Sequence, residues 1–531
     1  MIKTLHLQAN PGDPSNRSYF LNLSDMKKLW KNLIPLCMVI TGIIYSLSVC
    51  SGQTKKTEVK DDAVTNITIL EKITGSLNVG LGWNEATVLD GRWLKHDFSR
   101  DDWDRYFGLM EWSGCHWLRH AVTITDWEPA NDNEDPGKTD WGKFTFNSEI
   151  MKRHYTFLDQ AEKRGIKVLL TNWRLGAKWL TTQEEKWILA HPDNEEEFAE
   201  SLAALVYHLK KEKKYQCVWA LSLWNEPNGD WAYTGPKSKY PESFWPLYKA
   251  VDNQLNRLGV RNEILMLGPD ASTGGRPEHI PVMLAKYGSV LDIICDHDYS
   301  AFRGERMDQS VEAYSKLINE LKKIPGKNLP FVIGEFGNYG AGSKAVDDDI
   351  KVYDGALSTT AYLFRMLNHG TAGLARWEFH IYGDTWRNFG ALTETDPDYV
   401  FKPYGPVFYP HAITARYVKP GWRVRETGIE GNSDGIYATA LTSPQDDITI
   451  MLLNDTFEQA TILLKLELPC HHSILHHMSV AGPMPEGIDL HGNIRLEEKE
   501  IRITLPARSV TTLTSLPAGD LTMPEKLSLK R

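Results

Sequence analysis

Residues 218–228 read Val-Trp-Ala-Leu-Ser-Leu-Trp-Asn-Glu-Pro-Asn. The stretch is apolar but for Ser222 as far as Trp224, turns polar at Asn225 and Glu226, and is stopped by Pro227. A short, nearly continuous apolar run with such a stop fits a strand buried on both faces. Outward from it the same texture recurs at 77–83, 115–122 and 167–173 on one side, and at 263–270, 291–299, 331–337 and 373–380 on the other. Amphipathic stretches separate the runs, among them Glu149 to Arg164 and Glu195 to Lys211, with Phe198, Leu202, Leu205 and Leu209 on one stripe. Buried strands alternating with helices mean a parallel sheet covered on both sides. Eight such units in about 300 residues fit a closed (β/α)8 TIM barrel better than an open doubly wound sheet. No glycine-rich phosphate loop follows any of the runs, which speaks against a nucleotide fold.

After residue 400 the period changes. Short alternating runs appear at Ile436–Leu441, Ile448–Leu453, Ala460–Leu466 and Ile501–Leu505, separated by turn residues such as Gly431-Asn432-Ser433-Asp434-Gly435. This reads as a small C-terminal β-sandwich. The expected organisation is a catalytic α/β barrel over 71–405, a β-sandwich over 406–517 and a loose tail over 518–531. At the other end, Lys27, Lys28 and Lys31 precede an apolar run from Leu33 to Val49, the pattern of an export signal over 1–50 with Met26 as its start. Leu47-Ser48-Val49-Cys50 resembles a bacterial lipoprotein box with Cys50 as the lipidated residue. A plain cleaved signal and an uncleaved anchor are the alternatives. Residues 51–70 then form a polar tether. The expected location is an exported cell-surface or periplasmic lipoprotein, or else a secreted protein, that meets a membrane only through its lipid.

The chain has 531 residues, 42% hydrophobic and 24% charged, a globular balance that excludes disorder throughout. With 59 Lys+Arg against 69 Asp+Glu the net charge is −10, which argues against nucleic acid as a partner. The six cysteines form no CxxC pair, so metal and redox spacings are missing, and Cys115, Cys217, Cys295 and Cys470 are expected to be free thiols. Eighteen tryptophans suit packing and also flat platforms for sugar rings. The acids of Asp132-Asn133-Glu134-Asp135 are read as a solvated loop rather than a calcium site. No metal and no organic cofactor is expected.

In a barrel of this kind the active site lies at the C-terminal ends of the strands. The fourth run ends in Asn225-Glu226-Pro227, the seventh in Gly334-Glu335-Phe336-Gly337. A carboxylate straight after an apolar run is costly unless it has a partner or a task. Two glutamates at these places face each other across the barrel mouth. Facing carboxylates are what glycosidic bond cleavage needs, one as proton donor and the other as nucleophile. A neighbouring arginine is expected to keep the nucleophile ionised while a less compensated pocket keeps the acid protonated. By strand alternation Glu378, Asp296 and Asp298 should turn away from the axis.

The Asn-Glu-Pro at 225–227 and the Gly-Glu-Phe-Gly at 334–337 resemble the signatures of clan A glycoside hydrolases. The likeness is to family 5, the cellulase-like family, with families 39 and 30 as neighbours, and it covers about 76–400. It implies a retaining β-glycoside hydrolase acting on a poly- or oligosaccharide, as a monomer, with Glu226 as acid/base and Glu335 as nucleophile. It further implies that Arg119 hydrogen-bonds the nucleophile, that Asn225 binds a sugar 2-hydroxyl, that Tyr299 of His297-Asp298-Tyr299 orients Glu335, and that Trp377 floors the cleaved subsite. In one place the chain departs from family 5: where that family carries a histidine after its third strand, this chain has Thr171-Asn172-Trp173-Arg174, which brings Asn172 and Trp173 to the subsite. Trp83, Trp224, Trp231, Tyr233, Trp127, Trp141, Tyr382 and Trp386 are candidates for the rim. A transglycosylase, and a non-catalytic carbohydrate-binding lipoprotein on the same barrel, are the competing readings.

Overall fold

The computed structural model describes residues 64–521, apart from 86–97, 289, 302–303, 325–326, 339–347, 381–390, 396–399, 470–471 and 497–499. The signal region with Met26 and Cys50, most of the tether, Cys470, Tyr382, Trp386 and the tail beyond 521 lie outside the described residues. The first strand, β1 (Val64–Leu77), leads into eight parallel strands that close into a barrel. These are β2 (Gly80–Glu85), β3 (Trp117–Val122), β4 (Lys167–Asn172), β5 (Val218–Ser222), β6 (Leu265–Ser272), β7 (Ile293–Asp298), β8 (Phe331–Phe336) and β9 (Gly373–Arg376). Each overlaps one of the eight apolar runs, and β2 pairs with β9 to close the ring. Inward side chains such as Trp117, Leu169, Ala220, Leu267, Ile293 and Val332 fill the barrel as a packed core. Trp117 takes its room from Gly82, where an added Cβ would lie 2.2 Å from the Trp117 carbonyl oxygen.

The helices follow in alternation: α1 (Arg100–Trp112), α2 (Glu149–Arg164), α3 (Glu195–Tyr207), α4 (Trp245–Arg257), α5 (His279–Tyr287), α6 (Glu305–Leu321), α7 (Asp349–Asn368) and α8 (Gly405–Ala415). Their ends obey local chemistry. Ser148 caps α2 by accepting from the Met151 N–H, and Gly165, at φ 66°, ends it. Asn194 caps α3, which runs on through a π-turn at His208–Glu212 and buries the expected stripe from Phe198 to Leu209. Among the described residues no helix is long and apolar enough to cross a membrane.

A hairpin of β10 (Leu392–Thr395) and β11 (Val400–Pro403) precedes α8. Beyond it come β12 (Trp422–Gly431), β13 (Ile436–Thr442), β14 (Ile448–Asn454), β15 (Ala460–Glu467), β16 (Ile474–Ala481), β17 (Asp489–Arg495), β18 (Glu500–Leu505) and β19 (Ser509–Thr514). They form the expected second, mostly antiparallel sheet in the order β17-β16-β19-β14-β13-β12-β1-β15-β18, around a core of its own that includes Ile67, Ile69, Ile450, Leu464 and Ile503.

Three boundaries are corrected. Residues 64–77, divided between tether and barrel by sequence, belong to the second sheet, where β1 pairs antiparallel with β12 and parallel with β15. The cause is a period of two: Thr65, Ile67 and Ile69 are buried while Asn66 is exposed. The sandwich begins at Trp422, not 406, because Gly405–Ala415 is the eighth barrel helix. All its residues are buried, since it lies between barrel and sheet and has no solvent face to mark it as amphipathic. The tail is tied down at its start, where Tyr417 donates to the Ala518 carbonyl (2.9 Å) and Arg416 to that of Asp520 (2.9 Å). Cys115, Cys217 and Cys295 are buried free thiols, as expected.

Candidate active site

Strand alternation on β3 turns Leu118 and His120 to the helices and Arg119 into the barrel mouth. The buried guanidinium is shared among four acceptors. Nη1 donates to Glu335 Oε1 (2.6 Å) and Asn84 Oδ1 (3.3 Å); Nη2 donates to Asp270 Oδ2 (2.8 Å) and Asn225 Oδ1 (2.5 Å). The Trp173 ring lies 5.4 Å from its centre. Burial alone would lower the guanidinium pKa, but the charges of Asp270 and Glu335 outweigh it and hold it above its ordinary value.

Glu335, on β8 and 3% exposed, receives a second hydrogen bond at Oε2 from the Tyr299 hydroxyl (2.6 Å). Glu226 follows β5 in a left-handed backbone conformation, φ 52°. A non-glycine residue held there stores strain, and such strain collects at functional sites. The Glu226 N–H donates to the Asp270 carbonyl (2.8 Å), which helps hold that conformation. Its Oε2 accepts from the Trp231 indole (2.8 Å), and its Oε1 is 3.1 Å from His297 Nδ1. The same nitrogen is 3.5 Å from Glu335 Oε2, and one oxygen of each glutamate lies within 4.8 Å of the other.

His297 is thus the hub between the two acids, not an isolated core histidine. Its Nε2 meets Asp270 Oδ1 at 2.9 Å. Burial pulls its pKa down, but the charges of Glu335 and Asp270 push it up to about 10. Asp270 is the functional residue that sequence reasoning missed. It ends Gly268-Pro269-Asp270 on β6 at φ 60° and accepts from Arg119, His297, Ser222 Oγ (2.7 Å) and Cys295 Sγ (3.2 Å). Burial would raise its pKa; Arg119 and His297 together hold it well below the usual carboxylate range. Its signal was the one used for the glutamates, a polar residue ending an apolar strand, hidden here in a dipeptide that reads as a turn.

The surroundings act on the two acids in opposite directions, the reverse of the expected sense. Burial raises Glu335, the charge of Glu226 adds to this, and His297 and Arg119 offset only part of it. Burial opposes the ionised form of Glu226 as well, but His297, then Trp231 and Arg119, bring its pKa below the ordinary value. Arg119 divides its charge with Asp270, and His297 stands nearer to Glu226 than to Glu335. Arg174, whose charge also faces both glutamates, is the third cation at the site.

Around this centre, Asn225 gives its amide oxygen to Arg119, and its carbonyl accepts from Arg174 (3.2 Å). Trp173 and Trp377 stand half-buried with ring centroids 6.2 Å apart and planes at 24°. Asn172 donates to the Leu223 carbonyl (3.2 Å) and to that of Arg174, bracing the segment that carries Glu226. Asp296 and Asp298 turn to the helices, as expected, and accept from Tyr314 (2.7 Å) and Tyr362 (2.6 Å). Glu378 is buried, with its pKa raised by burial and by Glu85 and Glu335. Of the rim candidates Trp231 is 52% exposed and touches Glu226, and Trp141 is exposed too. Trp83, Trp127, Trp224 and Tyr233 are buried packing residues.

The family model described as cellulase, glycosyl hydrolase family 5, matches residues 84–379, more than half of the chain. Solved structures match at low identity over nearly their full length. A conserved exported protein from Bacteroides fragilis is 14% identical with a TM-score of 0.64, covering 84% of this chain and 99% of that one. The glycoside hydrolase family 30 subfamily 8 xylanase of Clostridium acetobutylicum is 15% identical with a TM-score of 0.59 and coverages of 85% and 99%. A family 39 β-xylosidase from Caulobacter crescentus is 14% identical with a TM-score of 0.56 and coverages of 85% and 100%. No curated protein matches the sequence.

Proposed function

The chain belongs to the cellulase family, glycosyl hydrolase family 5, and on that premise we propose that it cleaves β-glycosidic bonds of a poly- or oligosaccharide with retention of configuration. The observation that carries this is the approach of Glu226 and Glu335 to within 4.8 Å. That is too near to leave the room for a water that inverting pairs, roughly 6.5–9.5 Å apart, require, and it favours the shorter spacing of retaining pairs. In the first step Glu335 Oε attacks the anomeric carbon, the bond to the glycosidic oxygen breaks, and Glu226 gives that oxygen its proton. In the second, Glu226 takes a proton from water, whose oxygen attacks the same carbon and releases Glu335. Arg119 and Tyr299, each with a hydrogen bond of 2.6 Å to Glu335, align the nucleophile. His297 Nδ1, 3.1 Å from Glu226 and 3.5 Å from Glu335, lies between the two acids and can relay a proton to Glu226 as Glu335 ionises. The amide oxygen of Asn225 is held by Arg119, which turns its NH2 group to a sugar hydroxyl; Trp173 and Trp377 offer apolar faces to the ring.

The test is chemical trapping. A 2-deoxy-2-fluoro glycoside should label Glu335, as read by peptide mass spectrometry, and the first sugar released should keep its anomeric configuration by NMR. An inverted product, or a label on another residue, would remove the reading. Export with a lipid on Cys50 is proposed on the basic and apolar pattern of residues 27–50; an unmodified mature N-terminus downstream of Cys50 would replace it with plain secretion.

A further inference from the structure

Away from the catalytic pair, the loop after β3 folds back over the first turns of α3, and four carboxylates meet there. Glu128, Asp132, Glu197 and Glu200 are all more than nine-tenths buried, at 0%, 7%, 3% and 1% exposure. One oxygen each of Glu128, Asp132 and Glu200 lies within 4.8 Å of the others. Glu197 is one helical turn before Glu200. Sequence placed Asp132 in a solvated acidic loop; Glu134 and Asp135 are exposed, but Asp132 is not.

The hydrogen-bond accounting is one-sided. Asp132 accepts from the Asn133 backbone (2.8 Å) and side-chain amide (2.8 Å) and from the Asp140 N–H. Glu128 Oε1 accepts from the Asp132 N–H (3.2 Å). Glu128 Oε2, both oxygens of Glu197 and Asn131 Oδ1 are buried without a hydrogen-bond donor, and Glu200 has only the Thr139 side chain as one. Arg257 brings one positive charge, 3.8 Å from Glu200, and spends its N–H groups on Gln254, Thr139 and the Gly137 carbonyl. Buried carboxylates without donors are costly unless a cation or a proton meets them. Burial accordingly pushes the carboxyl of Glu128 up to about 8 and those of Glu197 and Glu200 to about 7.

We infer that Glu128, Asp132 and Glu200 form a binding site for a hard divalent cation, Ca2+, with Glu197 as a fourth carboxylate beside it. The donors are all oxygen, which disfavours zinc and copper. Several buried carboxylates around one point suit the high coordination number of calcium; Mg2+ keeps its waters and takes one or two carboxylates. Bound there, the ion ties residues 123–148, the loop between β3 and α2, to α3. Trp179 donates its indole N–H to the Glu128 carbonyl (3.2 Å), so an optical donor adjoins the site.

The test uses the full chain freed of metal by a chelator and titrated with CaCl2 alone. Calorimetry should show saturable binding with Kd at or below about 1 mM, and the melting temperature should rise with calcium and less with equal MgCl2. Glu200→Gln should weaken calcium binding at least about tenfold while melting above the chelated wild type. Should that variant fail to fold, Tb3+ luminescence excited through tryptophan in the wild type, quenched by added calcium, reads the same site. Absence of saturable Ca2+, Mg2+ or Tb3+ binding to the wild type overturns the inference. So does unchanged calcium affinity in Glu200→Gln. Stabilisation by acid alone, with no response to cations, would assign protons to the cluster instead.

Discussion

His297 governs the site's electrostatics more than either glutamate does, because both acids and Asp270 lean on it. Its loss should raise the pKa of Glu226 and of Glu335 together. The two limbs of kcat/KM report these two acids, so in His297→Gln the whole bell should move to higher pH; an unmoved profile would remove the hub role. The same group carries a stability term. Its folded pKa of about 10 lies above the ordinary 6.5. The stabilisation is therefore full below about 6.5 and is lost as pH rises towards about 10, and denaturant midpoints of wild type and variant should converge over that window. Asp270→Asn breaks a buried ion pair and should cost about 3–5 kcal/mol in unfolding free energy, with Arg119 left undercompensated. For the acids, Glu335→Ala should abolish turnover by several orders of magnitude and be rescued by azide as an inverted glycosyl azide. Glu226→Ala should lose about 10²–10⁴-fold on poor leaving groups and little in the first step on good ones. Glu226 and Glu335 could be picked out because each is a carboxylate straight after an apolar run, whereas Arg119, His297 and Tyr299 entered only through the resemblance to family 5. The opposite directions in which the two acids are shifted could not be, since they turn on distances of 3.1 and 3.5 Å that no spacing in the chain encodes.

The barrel strands announced themselves because a strand buried on both faces is apolar throughout, whatever its partners. β1 did not. Half of its residues face water, and its partners, β12 and β15, lie several hundred positions away. α8 failed for the opposite reason, being covered on every side and so lacking the polar stripe that marks a helix. Their weights in the fold can be measured. Ile67→Ala and Ile69→Ala, at fully buried positions of β1, should each cost about 2–5 kcal/mol in denaturant unfolding. Asn66→Ala, on the exposed face between them, should stay within about 0.5 kcal/mol. Equal costs at all three would mean that the strand is not seated as described.

Barrel and sheet meet through buried side chains and not through a linker. Tyr353 on α7 donates to the Arg508 carbonyl (2.8 Å), Asn368 to that of Ala438 (2.9 Å), and Thr512 on β19 to that of Ile413 on α8 (2.9 Å). A chain cut after Val418 keeps all eight barrel helices but bares the faces of α7 and α8, and it should be insoluble; a soluble, active fragment would show the barrel to be independent. The intact chain should melt in one calorimetric transition. That two domains exist was plain from the change of period near residue 400. That the second sheet takes in a strand from before the barrel was not, because that strand belongs to the far end of the chain. The seat of β1 also sets an order in time. A ribosome finishes β1 about 345 residues before it begins β12, which at roughly 5–20 residues per second is about 17–70 s. For that interval a fourteen-residue strand with two unpaired edges has nothing of its own to bind. β1 can therefore take its seat only once the synthesis of about the last 110 residues has begun.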